Sequence, residues 1–201
     1  SPDQLISEAF TFHSQGNIAE AAKYYQLFID QGFADPRVLS NFGVILKQAG
    51  QIDQAIKLYK QSITLFPHSP TAYCNLGNIL RDIGQLEEGE LYTRKAISLK
   101  PDYPEAYSNL GKILNDLGKL NEAELSTRKA ITLKPNYAEA HCNLGKILSD
   151  LGQLEESTIS TCKAIDIQPE NNEFKCNLLG LLTIYKPQDN DLNPLIKIND
   201  E

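Results

Sequence analysis

The 201-residue sequence contains no methionine and no tryptophan, only three histidines and four cysteines, and fewer basic than acidic residues. Without a methionine the chain has no native initiator, so we expect a processed chain or a piece of a longer protein. The net charge of −7 argues against non-specific nucleic-acid binding, which needs a basic face to displace counterions. No apolar run is long enough to span a bilayer, and the opening SPDQLISEAF lacks the charged and apolar regions of a signal peptide. A membrane partner is therefore not expected. His13, His68 and His141 fall into no Ser/His/Asp or Cys/His set, and there is no CxxC, no HxxxH and no phosphate-cradling glycine loop. We expect no metal, no cofactor and no catalytic activity from these residues. The apolar fraction of 41% is ordinary, so a packed core is expected.

What the sequence does contain is a period. The stretch PTAYCNLGNILRDIGQLEEGELYTRKAISLKPDY, residues 70–103, is followed by PEAYSNLGKILNDLGKLNEAELSTRKAITLKPNY, residues 104–137, and 23 of these 34 positions are identical. Pro67, Pro101, Pro135 and Pro169 mark the repeat ends. They give copies at 2–35, 36–69, 70–103, 104–137 and 138–171, with a partial sixth at 172–184. The first copy is diverged and has Phe33 where proline is expected. A period of this size predicts an all-α, right-handed α-solenoid stabilised by nearest-neighbour packing. We expect residues 2–184 to form it. Residues 185–201 break the pattern and read as a linker or the start of a further element.

Each copy reads as two helices. In 104–137 the first runs from about Glu105 to Leu117, with Tyr107, Leu110 and Leu114 on an apolar stripe and Gly118 ending it. The second runs from about Asn121 to Leu133, with Asn121 as the expected N-cap and Ala123, Thr127 and Ala130 facing inward. Pro135 stops it. Glycine inside a helix costs about 1 kcal/mol against alanine. Its return at Gly43, Gly77, Gly111 and Gly145 therefore predicts a neighbouring side chain that fills the gap. Cys74, Cys142 and Cys176 share one repeat position, and copies of a position on helices packed about 8–10 Å apart are too distant for a disulfide. Free thiols fit a reducing compartment, so a cytoplasmic setting is expected.

These residues resemble the tetratricopeptide repeat family, in which a large residue, Leu-Gly, two small residues with an aromatic between them, and a terminal proline recur. Here Tyr73, Leu76, Gly77, Leu80, Gly89, Thr93, Ala96 and Pro101 take those places, and the resemblance covers about residues 2–184. The aromatic of the second helix is kept at Tyr25 and Tyr59 and becomes Thr93, Thr127 and Thr161 later. A weakened core contact is expected in each late copy. The resemblance implies a module that binds a protein or peptide.

Helical geometry at ~100° per residue turns positions 2, 6, 9 and 13 of each copy away from the packing stripe. Position 6 is Asn41, Asn75, Asn109, Asn143 and Asn177. Position 13 adds Asp82, Asp116 and Asp150, and position 9 adds Lys112 and Lys146. An asparagine amide both donates and accepts, so it can pair with another chain's backbone without reading its side chains. Helices about 10 Å apart, against about 3.3 Å per extended residue, give one asparagine per three residues, and five would hold about 12–15 residues. The row also resembles the asparagine array of O-linked N-acetylglucosamine transferases. That resemblance implies backbone clamping by the asparagines, side-chain selection by the aspartates, and a transferase domain elsewhere in a longer protein. Two other readings stay open: the asparagines hold the repeats in register, or their likeness reflects recent duplication. The apolar helix at 174–185 makes self-association, as a homo-oligomer, the alternative function. A terminal-carboxylate clamp is excluded, because position 6 is never basic.

Overall fold

A computed structural model describes residues 1–184, and the expected linker at 185–201 lies outside the described residues. Among them are eleven helices and no strand: α1 (Pro2–Ser14), α2 (Ile18–Asp30), α3 (Pro36–Gln48), α4 (Ile52–Leu65), α5 (Pro70–Asp82), α6 (Leu86–Leu99), α7 (Pro104–Asp116), α8 (Leu120–Leu133), α9 (Ala138–Asp150), α10 (Leu154–Ile167) and α11 (Asn172–Ile184). The odd-numbered helices α1 to α9 are the first of each pair and pack on the even-numbered helix that follows, while α11 packs on α10 and α9. The pairs fall into two compact units, residues 1–100 and the residues from Pro101 onward.

The hairpin turn is made by backbone geometry. Gly118 has φ +73°, and its N–H donates to Asn115 C=O at 2.9 Å while the Lys119 N–H donates to Leu114 C=O at 2.8 Å. This pair of bonds closes α7 with a left-handed glycine. Lys119 is at once the end of this motif and the N-cap position of α8, with no side-chain capping bond. The expected N-cap Asn121 is thereby corrected. The turn geometry starts the helix at Leu120 and places Asn121 inside its first turn. Proline at N1 or N2 opens α1, α3, α5 and α7, where its missing N–H costs no helical bond.

The helices of a pair meet at the recurring glycine. A Cβ on Gly77 would lie 2.9 Å from the Gly89 carbonyl oxygen and would overlap the Thr93 hydroxyl. Thr127 and Thr161 sit against Gly111 and Gly145 in the same way, and Tyr59 lays its ring edge on Gly43. The threonines therefore leave no hole at this notch: Thr93, Thr127 and Thr161 are all buried. Thr127 Oγ1 donates to Ala123 C=O at 2.8 Å and Thr161 Oγ1 to Ser157 C=O at 2.9 Å. Thr127 and Thr161 thus exchange ring area for a buried, bonded hydroxyl, whereas the Thr93 hydroxyl is buried with no hydrogen-bond partner among the described residues.

In the first unit the core gathers Tyr25, Phe28, Leu39, Phe42, Tyr59, Leu76 and Leu80. Phe33, in the place of a proline, packs on Phe28 with ring centroids 5.4 Å apart. In the second unit Leu110, Leu114, Ile147, Leu148, Phe174 and Leu178 are buried. The helix α11 buries Phe174, Leu178 and Leu181 but leaves Leu179 63% exposed. All four cysteines are free thiols. No described helix is long and apolar enough to cross a membrane.

The notch makes a prediction of opposite signs for two glycines. Gly77→Ala forces backbone to shift and should cost about 1–3 kcal/mol in denaturant unfolding. Gly180, inside α11 with nothing within 4 Å of a built Cβ, should gain up to about 1 kcal/mol as Gly180→Ala.

Candidate functional site

The candidate residues of the second unit lie where α7, α9 and α11 pack side by side. Asn143 Nδ2 donates to Ser108 Oγ of the preceding first helix at 3.0 Å. Asn177 Nδ2 makes the same step to Cys142 Sγ at 3.2 Å. Lys112 pairs with Glu139 of the next first helix at 2.6 Å, and Lys146 with Glu173 at 3.1 Å. Asn115 Nδ2 donates to Asp150 Oδ2 at 3.0 Å. These contacts are rungs between successive helices: position 6 back to 5, position 9 forward to 2, position 12 forward to 13.

The sequence pattern put position 6 on an open face. The structure corrects this: Asn143 is only 7% exposed, and Asn109 and Asn177 are half-buried. Asn143 and Asn177 line a seam between first helices. Asp116 and Asp150 are exposed beside it. Burial raises the Cys142 thiol pKa, opposed by the Asn177 amide and the Lys146 charge. Burial and Asp166 push Cys162 up to about 11. His141 donates from Nε2 to the Pro135 carbonyl at 2.9 Å. No three His, Cys, Asp or Glu side chains converge on one point among the described residues.

The first unit differs. Asn41 Nδ2 donates to the Tyr25 hydroxyl at 3.3 Å, and His13 Nδ1 shares a 2.8 Å hydrogen bond with the same oxygen. Burial raises the Tyr25 pKa, while the Asn41 bond lowers it. Asp82 is held by Lys47 at 2.6 Å, the rung from position 12 to 13 again. The rung from 6 to 5 is absent. Asn75 makes no hydrogen bond among the described residues, and Ser40 Oγ, its counterpart on α3, is buried with no partner. Positions 9 and 2 are Val44 and Thr71, so no ion pair forms there either.

One feature was not foreseen. A cleft of about 480 Å³ opens where α3 and α5 begin, with Arg37, Ser40, Ser69 and Thr71 in its wall. The signal was present: position 2 is glutamate in α7, α9 and α11 but Arg37 and Thr71 in the first unit.

Comparison with protein families gives matches to models described as TPR repeat, at residues 43–84 and 111–152, and as tetratricopeptide repeat, at 70–103 and 138–171, 92–124 and 2–29. Curated proteins give no match. Among solved structures the chain is similar to TTC0263, a TPR protein of Thermus thermophilus, at 18% identity and TM-score 0.77, covering 91% of this chain and 100% of that one. It is similar to a chain of the APC/C hetero-tetramer Cut9–Hcn1 at 17% identity and TM-score 0.80, covering 90% of this chain and 36% of that one. YrrB, described as a TPR protein with an unusual peptide-binding site, has 22% identity and TM-score 0.62, covering 90% and 93%. These likenesses concern the fold.

The seam can be weighed by double-mutant cycles in urea. Asn143 and Ser108 are both buried, so removing either leaves the other unsatisfied, and a coupling of about 1 kcal/mol is expected. Lys112 and Glu139 are solvent-accessible, and their coupling should stay below about 0.5 kcal/mol and fall with added salt.

Proposed function

Because the chain belongs to the tetratricopeptide repeat family, we propose that it is a protein-interaction module whose first-helix faces hold an extended segment of a partner protein. The carrying observation is one asparagine on each of five first helices, with Asn75 left without a hydrogen-bond partner among the described residues. An unpaired amide presents a donor and an acceptor, which is what an extended backbone requires. In the second unit, Asn109, Asn143 and Asn177 on successive helices would span about six to eight extended residues. Asp82, Asp116, Asp150, Lys112 and Lys146 flank the asparagines and bias which side chains are tolerated. The solved YrrB fold, described as carrying a peptide-binding site, supports the class of ligand.

The finer likeness to O-linked N-acetylglucosamine transferases belongs to the same proposal. In that version the held segment is a substrate delivered to a transferase domain of a longer protein, and the present chain recruits without catalysing. Four free thiols are compatible with a reducing, cytoplasmic setting.

A peptide array of extended sequences tests the proposal. Asn75→Ala should weaken capture by about tenfold while the melting temperature stays unchanged, because no internal bond is lost. Capture that survives both Asn75→Ala and Asn109→Ala, alongside a lowered melting temperature, would make the asparagines register pins only. A second reading rests on Leu179, 63% exposed on α11. If that helix joins two copies, sedimentation will show a dimer that Leu179→Glu converts to monomer; a monomeric parent chain removes the reading.

A further inference from the structure

We propose that the exposed stripe of α8 and α10 is a self-association face, met by the same stripe of a second copy of the chain turned antiparallel. The stripe lies on second helices and leaves the asparagines of the first helices free, so it stands apart from the groove reading.

The exposed side chains of these two helices follow one order. Glu122, Leu125 and Lys129 recur as Glu156, Ile159 and Lys163, and all six are exposed. Spacings of three and four residues put each set on one side of its helix. Leu125 is 70% exposed and Ile159 56%. The helix dipole accounts for an acid early and a base late. It gives no reason for a branched aliphatic side chain between them. Nor does the repeat demand one, because the same position is Lys23 and Lys57 in the first two copies. The order acid, aliphatic, base also stands on α6, at Glu88, Leu91 and Lys95.

Beside Ile159 the surface is hollow. A cleft of about 520 Å³ opens between α8 and α10, with Ile131, Leu144, Ile159 and Cys162 in its wall. On α8, Glu124 and Arg128 form an ion pair at 2.8 Å, as Glu90 and Arg94 do on α6. Their counterparts on α10 are the smaller Thr158 and Cys162. An opposing aliphatic side chain therefore finds apolar wall to pack on next to the exposed Ile159.

The charges select the occupant. Along the helix, Lys163 lies about 6 Å beyond Ile159 and Glu156 about 4.5 Å before it. A two-fold axis laid along the line from Leu125 to Ile159 turns a second copy end for end. It brings Lys163 to within about 1.5 Å of the level of the second copy's Glu156, and Lys129 equally close to the level of its Glu122. Lys129 and Lys163 have no hydrogen-bond or ion-pair partner among the described residues, so both ammonium groups are available. A parallel copy would set lysine on lysine and glutamate on glutamate. An unrelated partner needs no such internal symmetry, whereas an isologous contact requires it.

Sedimentation velocity of the whole chain tests the face. Between about 1 and 100 μM, the range of small and transient contacts, monomer should give way to dimer. Leu125→Glu and Ile159→Glu should each weaken the dimer about tenfold or more. The melting temperature should not change, since both side chains are exposed. Leu179→Glu, on α11, should leave the dimer intact. A chain carrying Lys129→Glu with Lys163→Glu, and another carrying Glu122→Lys with Glu156→Lys, should each stay monomeric alone and pair when mixed. A parent chain that stays monomeric overturns the proposal. So does a dimer that survives both Leu125→Glu and Ile159→Glu or dissolves in Leu179→Glu, and so do charge-reversed chains that fail to pair.

Discussion

The close approach of two helices at a glycine is the constraint on which the rest depends. Where the Gly89 carbonyl comes within 2.9 Å of a Cβ built on Gly77, no side chain can intervene, and the hairpin has one geometry. That geometry fixes the rotation of each first helix. Rotation in turn decides which residues meet the next repeat and which remain open. A helix turned by one residue would rotate by about 100° and carry Asn143 away from Ser108. Glycine thus acts at a distance on the polar seam, through the rigid body it helps to lock. The exchange of Tyr59 for Thr93, Thr127 and Thr161 leaves this intact, because a hydroxyl and a ring edge each fill the notch.

The seam sets two uses of one amide against each other. A donor that bonds the neighbouring repeat has less to offer a ligand. Asn143 and Asn177 give Nδ2 hydrogens to Ser108 and Cys142, so they serve register first. Asn75 gives none, and Ser40 receives none. Identical residues at identical positions therefore have different capacity. The difference follows from their neighbours and not from the asparagines.

Much of the fold was legible in the sequence because its determinants are local. The period, the left-handed Gly118, the stopping prolines and the glycine notch all depend on residues within one repeat. Asn121 was misread for a related reason. Its preference for N-caps is real, but the glycine turn fixes the helix start at Leu120 before that preference can act. The site was less legible. Helical projection gave the right side for Asn143 but not its depth, because burial there is contributed by the adjacent first helix. The partners of Lys112 and Lys146, at Glu139 and Glu173, lie in the following repeat, where single-helix projection does not look. The cleft at Arg37 was masked by attention to what recurs, whereas its signal is a break in recurrence at position 2.

The rungs also have a meaning that stability alone does not give. Solvent-accessible ion pairs are worth about 0–1 kcal/mol, so Lys112–Glu139 and Lys146–Glu173 add little to a stack held by buried leucines and isoleucines. Apolar surfaces, however, tolerate sliding, since one leucine contact resembles another. Charge pairs do not, because a slip leaves Lys112 without its carboxylate. Weak rungs can therefore select among registers that the apolar seam holds almost equally well. They also keep the first-turn glutamates at the helix ends, where they meet the positive end of each helix. In the first unit, Val44 and Thr71 supply neither function. The register there rests on Lys47–Asp82 and on packing.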